Sequence, residues 1–245
     1  MKRYKLTVAY DGTNYAGWQI QPNGPTIQQR LQDALMEMTG ERAKVHGSGR
    51  TDQGVHARAQ LAHVDLRTLL EPMSLLGGLN ALLPPDIRVM KAARARSDFH
   101  ARRSATGKEY RYHIWNAAIM PPHLRAFRTL VRAPLDVTAM GQAAAALEGR
   151  HDFAAFTANP NRVVESTIRT IHALRVRKHG AEITIIARGE GFLYKMVRSL
   201  AGFLIRVGEG AETPSEARTI LASRSRTARV PTAPPQGLFL WNVFY

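Results

Sequence analysis

The chain has 245 residues, which is enough for one large domain or two small ones with a proper core. Its 34 lysines and arginines outnumber 19 aspartates and glutamates, and a formal net charge of +15 predicts a polyanionic partner such as nucleic acid. Because the chain contains no cysteine, disulfides, cysteine-bound zinc and thiolate catalysis are excluded.

The basic residues are mostly arginine, with 27 arginines against 7 lysines. Arginine binds phosphate through two hydrogen bonds and stacks on bases, so this bias fits contact with RNA or DNA. A GC-rich genome would also favour arginine over lysine, but it would not explain why bases outnumber acids. The N-terminus lacks the apolar stretch of a signal peptide, and no apolar run approaches the ~18 residues of a membrane span. The sequence therefore predicts a soluble, cytoplasmic protein.

The first elements in chain order are a strand and a helix. Apolar alternation predicts a strand over residues 4–10, followed by a turn. Helical spacing of apolar residues predicts a helix over 26–38, with Thr26 as its N-cap and Gly40 as its stop. A short strand is predicted over 42–46.

Residues 47–57 form a glycine-framed polar loop. Asp52 lies two residues after Arg50 there, which predicts a carboxylate that is both ionised and reachable. The competing interpretation is an ordinary tight turn, because aspartate and glycine are common in turns for backbone reasons alone. Loops held between strands often carry functional residues, and this loop is followed by another predicted strand.

A strand, a helix and a second strand are predicted after the loop in the first half of the chain. A strand over 59–64, a helix over 72–83 and a strand over 87–92 follow the loop. The order β-α-β-β-α-β is that of the ferredoxin-like or RRM-like unit. A polar, basic stretch over 97–106 predicts a domain crossing, which gives domains of residues 1–105 and 106–245.

The second half repeats strands and helices. Residues 108–115 alternate as a strand that places Tyr110 on one face and basic side chains on the other. An irregular segment is predicted over 120–132, a helix over 136–147, and a hairpin from strands 168–177 and 181–188.

Three further elements complete the second half. The pattern predicts the longest helix over 192–207, opening at the Gly-Glu-Gly of residues 189–191, where a helix N-terminus would favour anions. A helix with an N-cap, proline and capping box is predicted to begin at 213–216, and a closing strand covers 237–243. The predicted fold is therefore α+β, with two α/β halves.

Other classes of function fit the residues less well. His56, His63 and His100 could suggest a metal, but their spacing forms no helical pair, and satisfied or surface histidines are the better interpretation. A magnesium-dependent phosphoryl-transfer enzyme using Asp11 or Asp52 lacks a Walker-type loop and a carboxylate cluster. A non-catalytic RNA-binding protein with tandem RRM-like units shares the charge and aromatics, although no RNP signature is evident.

Five stretches together resemble one family, the tRNA pseudouridine synthases of the A type, and they appear in family order over nearly the whole chain. They are AYDGTNYAGWQ (9–19), GRTDQGVHA (49–57), FHAR (99–102), KEYRY (108–112) and GFLYKMVR (191–198).

The resemblance implies isomerisation of uridine to pseudouridine at positions 38, 39 and 40 of the tRNA anticodon stem-loop. It implies two RRM-like halves with mostly antiparallel sheets around a central basic cleft, a homodimer, and neither organic cofactor nor metal. The match places the catalytic nucleophile at Asp52, the arginine linked to base flipping at Arg50, and the basic partner of the aspartate at Arg198. It places the tyrosine that stacks on the target base at Tyr110.

Overall fold

The chain forms ten strands and five helices in the part described by the computed structural model, residues 1–158 and 165–245. Most strand pairs are antiparallel, so the predicted α+β class agrees with the structure. Contacts divide the chain into unit 1, residues 1–106 and 239–245, and unit 2, residues 107–238.

Unit 1 contains a sheet in the order β4-β1-β3 with antiparallel neighbours. The second edge of β3 is shared, because β2 pairs antiparallel with one part of it and β10 parallel with another. The elements of this unit are β1 (Lys2–Tyr10), α1 (Ile27–Thr39), β2 (His46–Gly47), β3 (His56–Leu66), α2 (Pro72–Leu82), β4 (Ile87–Ala95) and β10 (Leu238–Phe244), which begins at the last residue of unit 2.

The predictions for β1 and α1 are confirmed, and both elements follow from simple patterns. In β1, Tyr4, Leu6 and Val8 are fully buried while the residues between them are partly exposed. The N-cap of α1 is Thr26, whose Oγ1 accepts from the main-chain N–H of Gln29 at 3.3 Å. The helix ends at Gly40, which has a φ of +71°.

The predicted strand over 42–46 is wrong, because β2 comprises only His46–Gly47. The main chain before it bonds to side chains of α1 instead of to a neighbouring strand. The N–H of Val45 donates to Gln32 at 3.1 Å, and its carbonyl accepts from Gln28 at 2.8 Å.

Unit 2 contains an antiparallel sheet in the order β5-β9-β8-β7, with β6 parallel to β5. Helix α3 packs against β8 and α4, and the buried rings of Phe153, Phe156 and Phe203 lie in the core. The elements are β5 (Gly107–Asn116), β6 (Thr129–Val131), α3 (Val137–Ala146), β7 (Gly149–Asp152), β8 (Ile168–His179), β9 (Glu182–Gly189), α4 (Met196–Gly208) and α5 (Glu216–Ser223).

The structure corrects the start of one predicted helix in unit 2 and the capping of another. Helix α4 begins at Met196 rather than 192, because Lys195 has a left-handed φ of +55° that interrupts the helical backbone. The Gly-Glu-Gly stretch therefore lies outside the helix and forms no N-terminal anion site. Helix α5 begins at Glu216, and among the described residues its N-cap Ser215 makes no side-chain capping bond.

The two longest helices, α1 and α4, have 13 residues each. Within the described ranges, no helix has the length and apolar character needed to cross a membrane.

Candidate active site

The predicted functional loop connects β2 to β3. These two strands pair antiparallel, so one pair of strands supports both ends of the loop. Arg50 is exposed, Thr51 is buried and Asp52 is partly buried. The loop therefore points a cation outward and holds a carboxylate at the boundary with solvent, with a buried residue between them.

Thr51 fixes the middle of the loop. Its Oγ1 lies 2.8 Å from the hydroxyl of Tyr10, and its carbonyl accepts from the N–H of Trp18 at 3.1 Å. Burial raises the pKa of Tyr10, so its ring keeps a neutral hydroxyl beside Thr51. Arg50 and Asp52 are covalently joined to Thr51, so the two contacts of Thr51 also limit their movement.

Two glycines let residues 12–18 lie directly against the loop. A Cβ on Gly12 would come within 2.1 Å of the carbonyl oxygen of Val55. A Cβ on Gly17, which has a φ of +102°, would come within 2.5 Å of the carbonyl oxygen of Thr51. Only glycine, which has no Cβ, allows such close backbone approach. Gly12 and Gly17 are therefore required for packing against the loop, in addition to any role in a turn.

A buried polar pair holds the beginning of the loop. Ser48 and Gln60 are both fully buried, and Ser48 Oγ donates to Gln60 Oε1 at 2.6 Å. The amide of Gln60 then donates to the carbonyl of Gly49 at 2.8 Å. A polar residue in the interior of β3 is thereby satisfied by the loop that it positions.

The end of the loop is held by His56, which is fully buried. Its Nδ1 accepts from the N–H of Gly12 at 3.0 Å, and its ring stacks on Phe239 with centroids 4.6 Å apart. Because Phe239 belongs to β10, the last strand of the chain contacts the loop in unit 1.

Trp18 lies beneath the loop and not on its surface. It is 3% exposed, and a Cβ on Gly47 would come within 2.6 Å of its indole ring. The ring of Trp18 therefore belongs to the core of unit 1 and is not offered to solvent for stacking on a base.

The other two predicted site residues belong to unit 2. Tyr110 lies on β5, is 8% exposed and packs edge-on against Phe192 with centroids 5.3 Å apart. Arg198 lies in the first turn of α4 and donates from Nε to the carbonyl of Ala233 at 2.7 Å. The structure therefore places Arg50 with Asp52 in one loop of unit 1. The pairing of Arg198 with Asp52 stays a prediction.

The structure also brings three histidines together, in a combination that the sequence did not indicate. One ring nitrogen from each of His46, His63 and His100 lies within 4.8 Å of the others, whereas His56 lies at the loop. The pairing of β2 with β3 places His46 opposite His63. This register could not be inferred from the sequence, because β2 has only two residues and was not correctly predicted.

Comparison with known sequences identifies the family. A sequence model described as tRNA pseudouridine synthase matches residues 6–102 and 143–245, which include Arg50, Asp52 and Arg198. The chain belongs to the tRNA pseudouridine synthase family. This is a family of isomerases. Tyr110 falls between the two matched ranges.

Individual members of the tRNA pseudouridine synthase family match the chain along its whole length. The chain is 46% identical to tRNA pseudouridine synthase A of Myxococcus xanthus over 246 residues, which covers all of this chain and 92% of the relative. It is 45% identical to the protein of that name from Pelobacter propionicus and 43% identical to that from Brevibacillus brevis, with full coverage of both chains in each case. The resemblance expected from the five sequence stretches is confirmed.

Proposed function

We propose that the chain isomerises uridine to pseudouridine at positions 38, 39 and 40 of the tRNA anticodon stem-loop. The observation that carries this proposal is the full-length similarity to relatives named tRNA pseudouridine synthase A. The anchored loop adds support, because it holds Arg50 and Asp52 at the protein surface by contacts from residues 10–18.

Asp52 acts as the nucleophile in this proposal. The reaction breaks the N-glycosidic bond, turns the uracil and joins its C5 to the ribose C1′; C5 loses its proton and the freed N1 takes one up. A carboxylate can divide this change into easier covalent steps. Attack at C1′, attack at C6 of uracil and removal of a sugar proton all remain open to Asp52. Each requires the ionised carboxylate, which an arginine within ~4–6 Å would favour, and Arg198 is the proposed partner.

Arg50 and Tyr110 act on the target nucleotide. Extracting a base from its stack costs a few kcal/mol, and Arg50 is the proposed residue for base flipping. Stacking of the flipped base on an aromatic ring returns about 1–3 kcal/mol. Tyr110 offers such a ring, with Phe192 packed against its edge.

The proposed architecture is two RRM-like halves on either side of a basic cleft, in a cytoplasmic homodimer that needs neither cofactor nor metal. The order β-α-β-β-α-β in unit 1 and the sheet order β4-β1-β3 support the first half of this proposal. The net charge of +15 supports a cleft that holds phosphates without reading sequence.

The test is release of tritium from tRNA labelled at C5 of uridine, with wild type, Asp52→Asn and Asp33→Asn compared. Asp33 is an exposed carboxylate on α1, so its variant controls for loss of one negative charge. We expect release by wild type and Asp33→Asn only, while Asp52→Asn still binds tRNA. Chemical labelling of pseudouridine followed by primer extension then locates the modified positions.

Other outcomes would contradict parts of the proposal. Near-normal release by Asp52→Asn would keep the reaction and place the nucleophile elsewhere. Tight tRNA binding without release by wild type would favour the non-catalytic RNA-binding protein.

A further inference from the structure

Three histidines in unit 1 form a compact group, which we call the histidine cluster (His46, His63 and His100). The rings of His46 and His63 stack with centroids 4.9 Å apart and an interplanar angle of 14°. The ring of His100 lies 4.7 Å from that of His63. His63 is 3% exposed, whereas the other two are partly exposed, so a ligand could reach the cluster from solvent.

Main-chain hydrogen bonds fix which ring nitrogens carry protons. His63 Nδ1 accepts from the N–H of Ala101 at 3.1 Å, and His100 Nδ1 accepts from the N–H of Arg102 at 3.1 Å and of Arg103 at 3.3 Å. A nitrogen that accepts a hydrogen bond has no proton, so the neutral rings of His63 and His100 carry theirs on Nε2. Both side chains therefore offer an N–H donor and no free lone pair.

This tautomer is unsuited to a metal ion. A histidine that binds a metal normally uses one nitrogen as ligand and donates the N–H of the other to an acceptor. In His63 and His100 the second nitrogen accepts instead, so a metal at Nε2 would require loss of a further proton or of the main-chain bonds.

The charges around the histidine cluster favour an anion. The charged groups that act on its rings are Arg3, Lys44, Asp65, Arg102 and Arg103. The single carboxylate among these five groups, Asp65, already accepts two hydrogen bonds from Arg3, at 2.8 and 2.6 Å. Beyond the Arg3–Asp65 pair, three cations (Lys44, Arg102 and Arg103) act on the cluster, so its surroundings carry a net positive charge beside the two N–H donors.

We propose that the histidine cluster binds a phosphate group, and that this group is a phosphodiester of the tRNA backbone. The RNA source of the phosphate rests on the proposed function. His46 and His63 are opposite one another on the two strands that carry the loop with Arg50 and Asp52. His46 precedes Ser48, the first residue after β2, by two positions, so the cluster lies beside the start of the loop and an RNA strand that follows the loop toward β2 reaches it.

Protonation adds a second signature of this site. Burial is the main cause that lowers the pKa of each cluster histidine, and it lowers that of His63 to about 4. The rings are consequently neutral at pH 7. A bound phosphate brings negative charge and raises these pKa values, so its affinity increases as pH falls.

The first experiment follows the imidazole nitrogens of the full chain by NMR, in phosphate-free buffer. Inorganic phosphate, an anticodon stem-loop RNA and zinc chloride are added in separate titrations. We expect Nε2–H tautomers for His63 and His100, and shifts of these signals with RNA that inorganic phosphate reproduces at higher concentration. Shifts with inorganic phosphate but not with RNA would overturn the RNA source. Equimolar zinc binding with a change of tautomer, or no response to either phosphate source, would overturn the phosphate site.

The second experiment measures tRNA binding at fixed salt for His100→Asn. The asparagine oxygen can replace Nδ1 as acceptor for Arg102 and Arg103, but the variant lacks the Nε2–H donor. Loss of one such bond should weaken tRNA binding about three- to tenfold. His179→Asn, an exposed histidine at the end of β8, should bind as wild type does.

Wild-type affinity in a folded His100→Asn would contradict the proposal, and near-ultraviolet circular dichroism checks the folding. Binding without isomerisation would count against the proposed function alone, since neither experiment depends on turnover. If wild type failed to bind tRNA, the proposed function and the RNA source would both fail, and inorganic phosphate would still test the site.

Discussion

Individual residues of the loop are constrained by space as much as by chemistry. Arg50 and Asp52 could be proposed as site residues from the sequence because their motif is local. Their supports could not, because Thr51, Ser48 and Gln60 acquire their roles through hydrogen bonds to residues distant in sequence. Buried polar residues of this kind look like ordinary strand or loop residues until the fold provides their partners.

Gly12→Ala tests the close approach of the backbone to the loop. The new Cβ would lie 2.1 Å from the Val55 carbonyl oxygen, so the loop must shift, and we expect a loss of about 1–3 kcal/mol in the free energy of unfolding. Tritium release should fall as well. The measurement is urea unfolding beside the activity assay.

Gly141→Ala is the matched control for Gly12→Ala. Gly141 lies within α3, where a Cβ would meet no described atom within 4 Å. There, alanine should stabilise the protein by about 0.5–1 kcal/mol through helix propensity. Equal effects of the two changes would contradict the role given to Gly12.

At the scale of elements, long patterned segments were predictable and short ones were not. The predicted strands and helices that became β1, α1, β3 and α2 are confirmed within a few residues. Strands β6 and β7, of 3 and 4 residues, were missed because so few residues show no clear alternation. The partner of β10 was not predictable either, since pairing between distant strands leaves no local signal.

Strand β1 supports the loop through one hydroxyl, and Tyr10→Phe removes it. The buried hydroxyl of Thr51 loses its partner, so we expect a loss of about 1–2 kcal/mol in stability. Because the loop that carries Asp52 is loosened, turnover should fall at least about tenfold. Rates at saturating tRNA measure this effect.

Tyr4→Phe is the control on the same strand. The hydroxyl of Tyr4 donates to the carbonyl of Leu70 at 2.8 Å and accepts from the N–H of Leu70 at 3.1 Å, away from the loop. This variant should lose similar stability and keep its turnover. A parallel loss of turnover in both variants would mean that general destabilisation, and not the loop, explains the effect of Tyr10→Phe.

The stability of the whole molecule should depend on pH through groups whose pKa values are lowered by folding. Burial and the neighbouring His46 and His100 lower the pKa of His63 from 6.5 to about 4. Between these values the unfolded chain binds the proton and the folded chain does not, so the free energy of unfolding falls as pH falls. As pH falls further, Asp65 and Glu212, whose pKa values are lowered by Arg3 and Arg229, also lose their contributions.

Urea unfolding at pH 7 and pH 5 in phosphate-free buffer measures this dependence. His63→Asn keeps an acceptor for Ala101 but cannot titrate, so its unfolding free energy should change less between the two pH values. The control His179→Asn should retain the wild-type change. An undiminished pH dependence in His63→Asn would assign the titration to other groups.

The pairing of β10 with β3 also has a consequence for biosynthesis. The ribosome makes residues 1–106 first, yet Phe239, which pairs with His56 and stacks on its ring, is added only after all of unit 2. Domains usually fold as they emerge, beginning with the N-terminal one. Here the support of the loop in unit 1 is complete only after β10 has been synthesised. A nascent chain surrounded by tRNA on the ribosome therefore lacks the finished loop until β10 has been made and has paired with β3.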